Sequence, residues 1–522
     1  MEESQEILQL MGMLAGIVDL GDERLNKRLI QVVQEAFSAQ GCSLAQLSAA
    51  GGEASRKALQ RFVKNGRVEL PALRSALYRV SLEQLRLSGA KTVVSAFDPT
   101  NLDFSAQRKN KGGLKPVGKG HVPGYVWLNM ALIDPDSGRL FGVGHQTLDL
   151  AGGPDDQRLY DYTAGLGRTD LAEEFAINPK QQFLVHARAV DELVPKETEL
   201  IYVADRELDD AFSLRGIAAL EHQRHFVIRS DEQRVVSIQP VGWLEAGRKL
   251  PSQQKQLRKA PDQELVEVYL RDLAGSLPLE PFDSLGLDGR GRVCFEGSKP
   301  ARRAKLSIGA LGVCLLRRST RAVRAKLQEQ PLWLHLVVVH ETDPPQGVKP
   351  LHWTLLTDLP VSTPEQRARV VQLYRCRPRI EEFFRTTNDV LSLECSRLRD
   401  APRSARLMVL LTLKAMFLDA LRATAGLPAG VPPTSEQRAA LRSGAKEAER
   451  IEKAVRHSGK RPPKLSLKRR AIMLLGLLAR HGGWVATNRA HLGNAVLLRG
   501  LHAFLPLVSY DHYLWLFGEV GS

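Results

Sequence analysis

The sequence predicts an α/β protein: a core of mixed strands and helices that carries a β-rich insertion, with helical segments at both ends. Three observations predict it. Strand-like runs at 91–97, 199–204 and 225–230 are separated by stretches of helical periodicity. Between about 236 and 348 the rhythm changes to short strand-like runs, among them 265–270 and 334–340, parted by turns rich in Gly and Pro. Residues before about 75 and beyond Leu407 read as helices. The divisions that follow are 1–75 helical, 76–235 first part of the core, 236–348 β-rich insertion, 349–425 second part of the core, and 426–522 helical.

Taken in order, Leu20–Leu29 begins an amphipathic pattern with Leu25, Leu29, Val32 and Val33 on one side. A second helix is expected around 55–63, where Leu59, Phe62 and Val63 alternate with Arg56, Lys57, Arg61 and Lys64. Basic residues turned away from an apolar stripe suit a helical module that meets phosphates, and equally a plain amphipathic helix. The run 91–97 then reads as a strand ending at Asp98. The stretch 125–133 and the stretch 139–144 form a strand pair joined by the turn 134–138. Residues 109–119, crowded with Lys and Gly, read as a flexible basic loop. A helix over 181–193 precedes the strand 199–204, which ends at Asp205, and a further helix covers about 208–220. After the insertion, 351–357 is again a strand. Thr363-Pro364-Glu365-Gln366 opens a helix with a capping residue, an early Pro and a Gln at the third position. Pro378 should kink or restart that helix, because it has no N–H for the fourth preceding carbonyl.

The 522 residues are 43% hydrophobic and 25% charged, an ordinary globular composition with material for two to four domains. Lys and Arg number 73 against 58 Asp and Glu, a formal charge of +15. Such an excess suits a polyanionic partner, nucleic acid foremost, although a merely basic protein has the same balance. Five scattered Cys without a CxxC pair argue against a disulfide scaffold or a zinc ribbon. The acidic opening Met1–Ser4 and the absence of an uninterrupted apolar run of bilayer length lead to the expectation of a cytoplasmic chain without a membrane partner.

Within 374–388, Tyr374, Arg377, Glu381 and Asn388 fall at i, i+3, i+7 and i+14. At about 100° per residue they share roughly 60° of one helix face. The plain reading is a solvated face with Arg377–Glu381 and Glu381–Arg385 ion pairs. The chemical reading joins Glu381 to the two strand-end aspartates, Asp98 and Asp205. Three carboxylates from distant positions can hold two hard divalent ions about 4 Å apart, as phosphoryl transfer requires. Spacing alone does not bring these three together.

The ordered set of motifs resembles the DDE cut-and-paste transposases of the insertion-sequence four family, the group typified by the transposon-five transposase. That family's late motif is Tyr-x2-Arg-x3-Glu-x6-Lys, and Tyr374, Arg377 and Glu381 stand at its spacing. Asp98-x-Thr100 is similar to the first-aspartate region, and Ala204-Asp205-Arg206-Glu207 with 226–230 to the second. The strand 350–357 resembles the one before the signature helix. Leu20-Gly21-Asp22-x-Arg24-x3-Arg28-Leu29 with Arg61-Phe62 resembles the end-recognition domain. The likeness runs from about residue 10 to the C-terminal helices.

The resemblance implies a ribonuclease-H-like catalytic core with a β-rich insertion between the second Asp and the Glu. It implies that Asp98, Asp205 and Glu381 are catalytic and bind two Mg²⁺ ions, or Mn²⁺ in their place. Tyr374 and Arg377 would contact phosphates of the transposon end, and Trp353 would stack on a flipped base; on residues alone Trp353 is a core aromatic of a buried strand. Arg229 is a candidate contact to a DNA strand, and Arg24, Arg28 and Arg61 belong to end recognition. The chain departs from the family where the signature Lys is replaced by Asn388, an amide without charge; Arg385, about one turn earlier, is the candidate substitute. The implied activity is pairing of two terminal inverted repeats by a homodimer, a nick, hairpin formation, hairpin opening and strand transfer into target DNA, in a nucleoid-associated bacterial protein. The helices after about 426 are the expected pairing surface. The alternative is a catalytically inactive, transposase-derived DNA-binding protein, for which Asn388 is the support.

Overall fold

The protein is described here from a computed structural model covering residues 19–29, 57, 60–106, 111–151, 153–155, 179–209, 211–221, 223–239, 258–260, 263–287, 302–315, 331–390, 393–396, 398–425, 427, 435–458 and scattered positions of 469–479. The remainder of the expected end-recognition module and most of the expected pairing surface lie outside the described residues.

A short helix over 23–29 follows Asp22, whose Oδ1 accepts from the Arg24 N–H at 2.8 Å. Gly21 takes φ +74°, which explains the glycine there, and the Leu20 N–H donates to Asn26 Oδ1 at 2.8 Å. Helical residues 60–64 bury Phe62 and Val63 and expose Arg61 and Lys64. Helix α1 (Leu70–Ser88) ends at Gly89, a left-handed cap.

The sheet begins with β1 (Thr92–Asp103), β2 (Lys115–Val117), β3 (Val122–Ile133), β4 (Leu140–Leu150) and β5 (Gly153–Pro154). Helix α2 (Pro179–Asp191), strand β6 (Glu199–Ala204), helix α3 (Ala211–Ala218) and strand β7 (Arg224–Arg229) complete its first half. There follow β8 (Val235–Ile238), β9 (Arg258–Ala260), β10 (Gln263–Tyr269), α4 (Leu270–Ser276), β11 (Glu280–Leu287), β12 (Arg302–Leu315), β13 (Leu332–Glu341) and β14 (His352–Thr357). The chain then turns helical: α5 (Pro364–Tyr374), α6 (Pro378–Arg385), α7 (Ala401–Thr424) and α8 (Ser435–Ser458). The result is a mixed α/β fold.

The fourteen described strands form one sheet in the order β5-β4-β3-β1-β6-β7-β14-β13-β12-β8-β10-β9, with β11 on β12 and β2 on β3. Strands β1, β3 and β4 are antiparallel neighbours, whereas β6 runs parallel to β1 and β7 parallel to β6. The β-rich segment 235–341 therefore extends the same sheet, through β13–β14 and β14–β7 pairing. Alternation along the strands gives the sheet two apolar faces. One carries Val94, Ala96, Ile201, Val203, Val227 and Leu355 and is covered by α1 and α5–α7; the other carries Val93, Phe97, Tyr202 and Phe226 and is covered by α2 and α3. Close approach of α1 to β4 requires Gly142, with φ +147°, where a methyl group would lie 2.2 Å from Ser81 Oγ.

Three sequence expectations are corrected. Strand β1 continues five residues beyond Asp98, because its antiparallel ladder with β3 runs to Asp103 although the parallel one with β6 stops at Phe97. The 109–119 loop contains β2, and Lys111 is buried, donating to Leu398 O at 2.8 Å and Ser404 Oγ at 3.2 Å over the Phe104 ring. Tyr374, Arg377, Glu381 and Asn388 do not share one continuous helix face. The first helix stops at Tyr374, tight bonds such as Arg377 N to Tyr374 O at 3.0 Å carry the chain past Pro378, and 386–390 widens into a π-helix.

Among the described residues no helix is long and apolar enough to cross a membrane. The opening of α5 is a capping box, with Thr363 Oγ1 accepting from the Gln366 N–H at 3.3 Å and Gln366 Oε1 from the Thr363 N–H at 3.1 Å. Thr363→Ala should cost about 1 kcal/mol, read as a lower urea midpoint with an unchanged transition slope.

Candidate functional site

A row of polar residues crosses the apolar face beneath α6, and strand register places it. Asp98 on β1 stands opposite Asn129 on β3, and Asn129 opposite Gln146 on β4. On the other side, the parallel pairs Phe97–Ala204 and Ala204–Ile228 put Asp205 beside Asp98 and Arg229 beside Asp205. Asp205 follows the last residue of β6 and caps the 3₁₀ turn Arg206–Leu208, accepting from the Arg206 N–H at 2.7 Å. The segment beyond it is tied down at Asp209, which accepts from Arg234 Nε at 2.5 Å and from Ser230 Oγ.

Glu381 reaches this row from α6, which is held from its far side. Arg379, 5% exposed, donates Nε to Gly138 O at 2.7 Å in the β3–β4 turn, pairs with Glu382 and stands 3.8 Å from Asp419 on α7. Phe383 and Phe384 pack on Trp127 of β3 with ring centroids 5.7 and 5.8 Å away. With that side fixed, the Glu381 side is committed to the strand ends.

One guanidinium joins the three carboxylates. Arg377 Nη2 lies 3.2 Å from Asp98 Oδ1 and 3.5 Å from Asp205 Oδ2, while Nη1 donates to Glu381. Burial pushes the Asp98 carboxyl up to about 6; Arg377 opposes the rise, and Asp205 and Glu207 add to it. For Arg377 burial disfavours the charge, but Asp98 and Asp205 outweigh it and its pKa is raised. Tyr374 is buried, and burial, reinforced by Asp205, holds its phenol well above the usual value.

Arg229 sits at the same place, with Nη1 3.9 Å from Asp205 Oδ1 and Nη2 donating to His352 O at 3.4 Å. Trp353 is 7% exposed and meets Tyr374 edge-on, with centroids 5.0 Å apart at 71°. The indole is thus packed rather than offered to solvent. Asn388, in the π-helix, donates Nδ2 to Thr100 Oγ1 at 3.5 Å on β1. Arg385, one turn earlier and partly exposed, has neither ion pair nor hydrogen bond among the described residues. The structure therefore gathers Asp98, Asp205, Glu381, Arg377, Tyr374, Arg229 and Trp353. Arg24, Arg28 and Arg61 lie in the N-terminal segment and are exposed. Arg406 of α7 links that segment to the core, donating to Val68 O at 2.8 Å and Val63 O at 3.0 Å.

Sequence reading missed Asn129 and treated Glu207 only as motif context. The signal for Asn129 was present: it is the one amide in the apolar run 125–133. Its place beside Asp98 is fixed only by strand register.

Three carboxylates are a donor set for hard divalent cations. With each turned toward the guanidinium, no three acidic, His or Cys side chains among the described residues close on one point. The donor chemistry nevertheless fits a cation: the chain's own positive charge stands among all three groups, and Asp98 resists ionisation despite it. Arg377→Gln should therefore destabilise the protein at pH 7.5 by up to about 3 kcal/mol, the low end for a buried pair because Glu381 is partly exposed. Asp98 holds its proton more tightly folded than unfolded, where its pKa is about 3.9. Lowering the pH through about 6 should thus shrink the deficit. Melting curves of both proteins between pH 5 and 8 check the sign.

Residues 14–68 match a family model described as transposase DNA-binding. The match covers Arg24, Arg28 and Arg61, which are among the exposed basic residues of the described part of this segment. It supports a transposase that binds DNA.

Proposed function

We propose that the protein is a DDE-type cut-and-paste transposase, and that Asp98, Asp205 and Glu381 are its catalytic carboxylates. The observation that carries this reading is the convergence of the three on Arg377 from two adjacent parallel strands and a helix more than 170 residues further on. The order β4-β3-β1-β6-β7, three antiparallel strands followed by two parallel to the first, supports a ribonuclease-H-like core. The DNA-binding match at 14–68 supplies the substrate class.

Asp98, Asp205 and Glu381 would hold two Mg²⁺ ions, or Mn²⁺, which supply Lewis-acid activation of the attacking oxygen and neutralise charge on the leaving one. The chain's own residues do the remainder. Arg377 is a guanidinium with a fork that suits a phosphate as well as a carboxylate, so backbone phosphate of a transposon end competes for it and frees the carboxylates. Tyr374, kept protonated by burial, is a hydrogen-bond donor at neutral pH. Arg229 and Arg385 are further phosphate contacts, the latter already without a protein partner among the described residues. Trp353 takes a flipped base when Tyr374 moves off its edge. These groups serve a hydrolytic nick, attack of the freed 3′-hydroxyl on the opposite strand to give a hairpin, hairpin opening, and transfer to target DNA. A homodimer holds the two terminal repeats together.

Asn388 favours the second reading, an inactive transposase-derived DNA-binding protein, because its amide brings no charge and is engaged by Thr100. Cleavage of a supercoiled plasmid carrying the element's own ends separates the two. Mg²⁺ should give end-specific breaks and hairpins that EDTA abolishes, and Glu381→Gln should lower the rate by at least about 100-fold, since even outer residues of metal sites cost 10–100-fold. End binding without any cut would leave the DNA-binding reading. Asn388→Lys should tighten end binding and steepen the salt dependence of the binding constant by about 0.9 in logarithmic slope, one added phosphate contact. An unchanged slope would show that position 388 does not reach the backbone.

A further inference from the structure

Asn129 lies in the polar row between Gln146 and Asp98 and has no role in the assignments above. It is 0% exposed, and among the described residues neither its Nδ2 nor its Oδ1 has a hydrogen-bond partner. Leaving both ends of an amide unsatisfied inside an apolar sheet face is costly, and a leucine in the same volume avoids that cost. Gln146, its neighbour on β4, already accepts from Thr412 Oγ1 at 3.3 Å. On the other side, directly opposite residues of an antiparallel pair put their side chains on one face with Cβ atoms about 5 Å apart, and the residue opposite is Asp98. Asp98 uses Oδ1 for Arg377; its Oδ2 accepts no hydrogen bond among the described residues. A donor without an acceptor thus stands beside an acceptor without a donor.

We propose that Asn129 is a positioning residue for Asp98: its amide donates to the Asp98 carboxylate and fixes that carboxylate's orientation when a divalent cation replaces Arg377. The inference rests on the reading of Asp98, Asp205 and Glu381 as a cation site. Once Arg377 is drawn to phosphate, Asp98 loses the partner that orients it, and the Asn129 amide is the unsatisfied donor on the residue directly opposite. A donor that holds a ligating carboxylate from behind sets its direction without touching substrate.

The test is thermal melting of the full-length protein titrated with Mn²⁺ alone, comparing wild type, Asp98→Asn, Asn129→Leu and Asn129→Ser. Wild type should gain melting temperature with Mn²⁺, and Asp98→Asn should lose that gain. Asn129→Leu should melt no lower than wild type without metal, yet need about 10- to 100-fold more Mn²⁺ for half of the gain. Asn129→Ser, which keeps an O–H donor, should fall between the two. If Asn129→Leu responds to Mn²⁺ with the wild-type midpoint, the inference is overturned while the cation site stands. Should Asn129→Leu fail to melt cooperatively, the smaller donor-free Asn129→Ala takes its place, and a wild-type Mn²⁺ midpoint there overturns the inference in the same way. A wild-type protein with no Asp98-dependent response removes the cation site and the inference together.

Discussion

Arg377 is the interaction on which the arrangement of the site depends. Two carboxylates on neighbouring parallel strands and a third on a helix cannot approach in a partly buried place without a compensating charge. The guanidinium supplies it through both of its terminal nitrogens. Its own position follows from a helix interruption: Pro378 removes an N–H, the chain tightens, and Arg377 is set in a turn between two helices instead of along one.

Around that charge, the supporting parts are held by register and packing. Sheet register aligns the polar row, and the Arg379–Gly138 and Phe383–Trp127 contacts fix the far side of α6. The N-terminal segment matched to transposase DNA-binding is fastened to α7 by Arg406, so the exposed basic residues and the carboxylates belong to one connected body of packing. Pairing of β14 with β7 brings Trp353 and Arg229 to the same strand ends, so the chain that resumes after the β-rich segment bears on the site directly. Asn129 departs from this packing: both ends of its buried amide lack hydrogen-bond partners among the described residues, at a cost to local stability.

Legibility in the sequence varied with the range of the interaction. Short-range features were readable. The capping box at Thr363–Gln366, the break at Pro378 and the Gly138 turn each depend on residues a few positions apart. The outcome at Pro378 was less so, because tertiary contacts decided between a kink and a fresh start. The end of β1 was misread since the residues after Asp98 gain their partners from β3, about 25 residues away. Lys111 looked like surface charge, yet the chain folds over it and gives it Leu398 O and Ser404 Oγ, 287 and 293 residues distant.

By itself the sequence determined the types of group available for chemistry, their order, and the exposed basic faces, because periodicity and local caps are properties of neighbouring residues. By resemblance it pointed to Asp98, Asp205 and Glu381 as the carboxylates to follow. Only the tertiary structure decided that these three meet at Arg377, that Trp353 is packed against Tyr374, and that Asn129 stands unpaired beside Asp98. The physical reason is register: which residue of one strand faces which residue of the next is set by the packing of the whole sheet, and no local pattern in the chain encodes it.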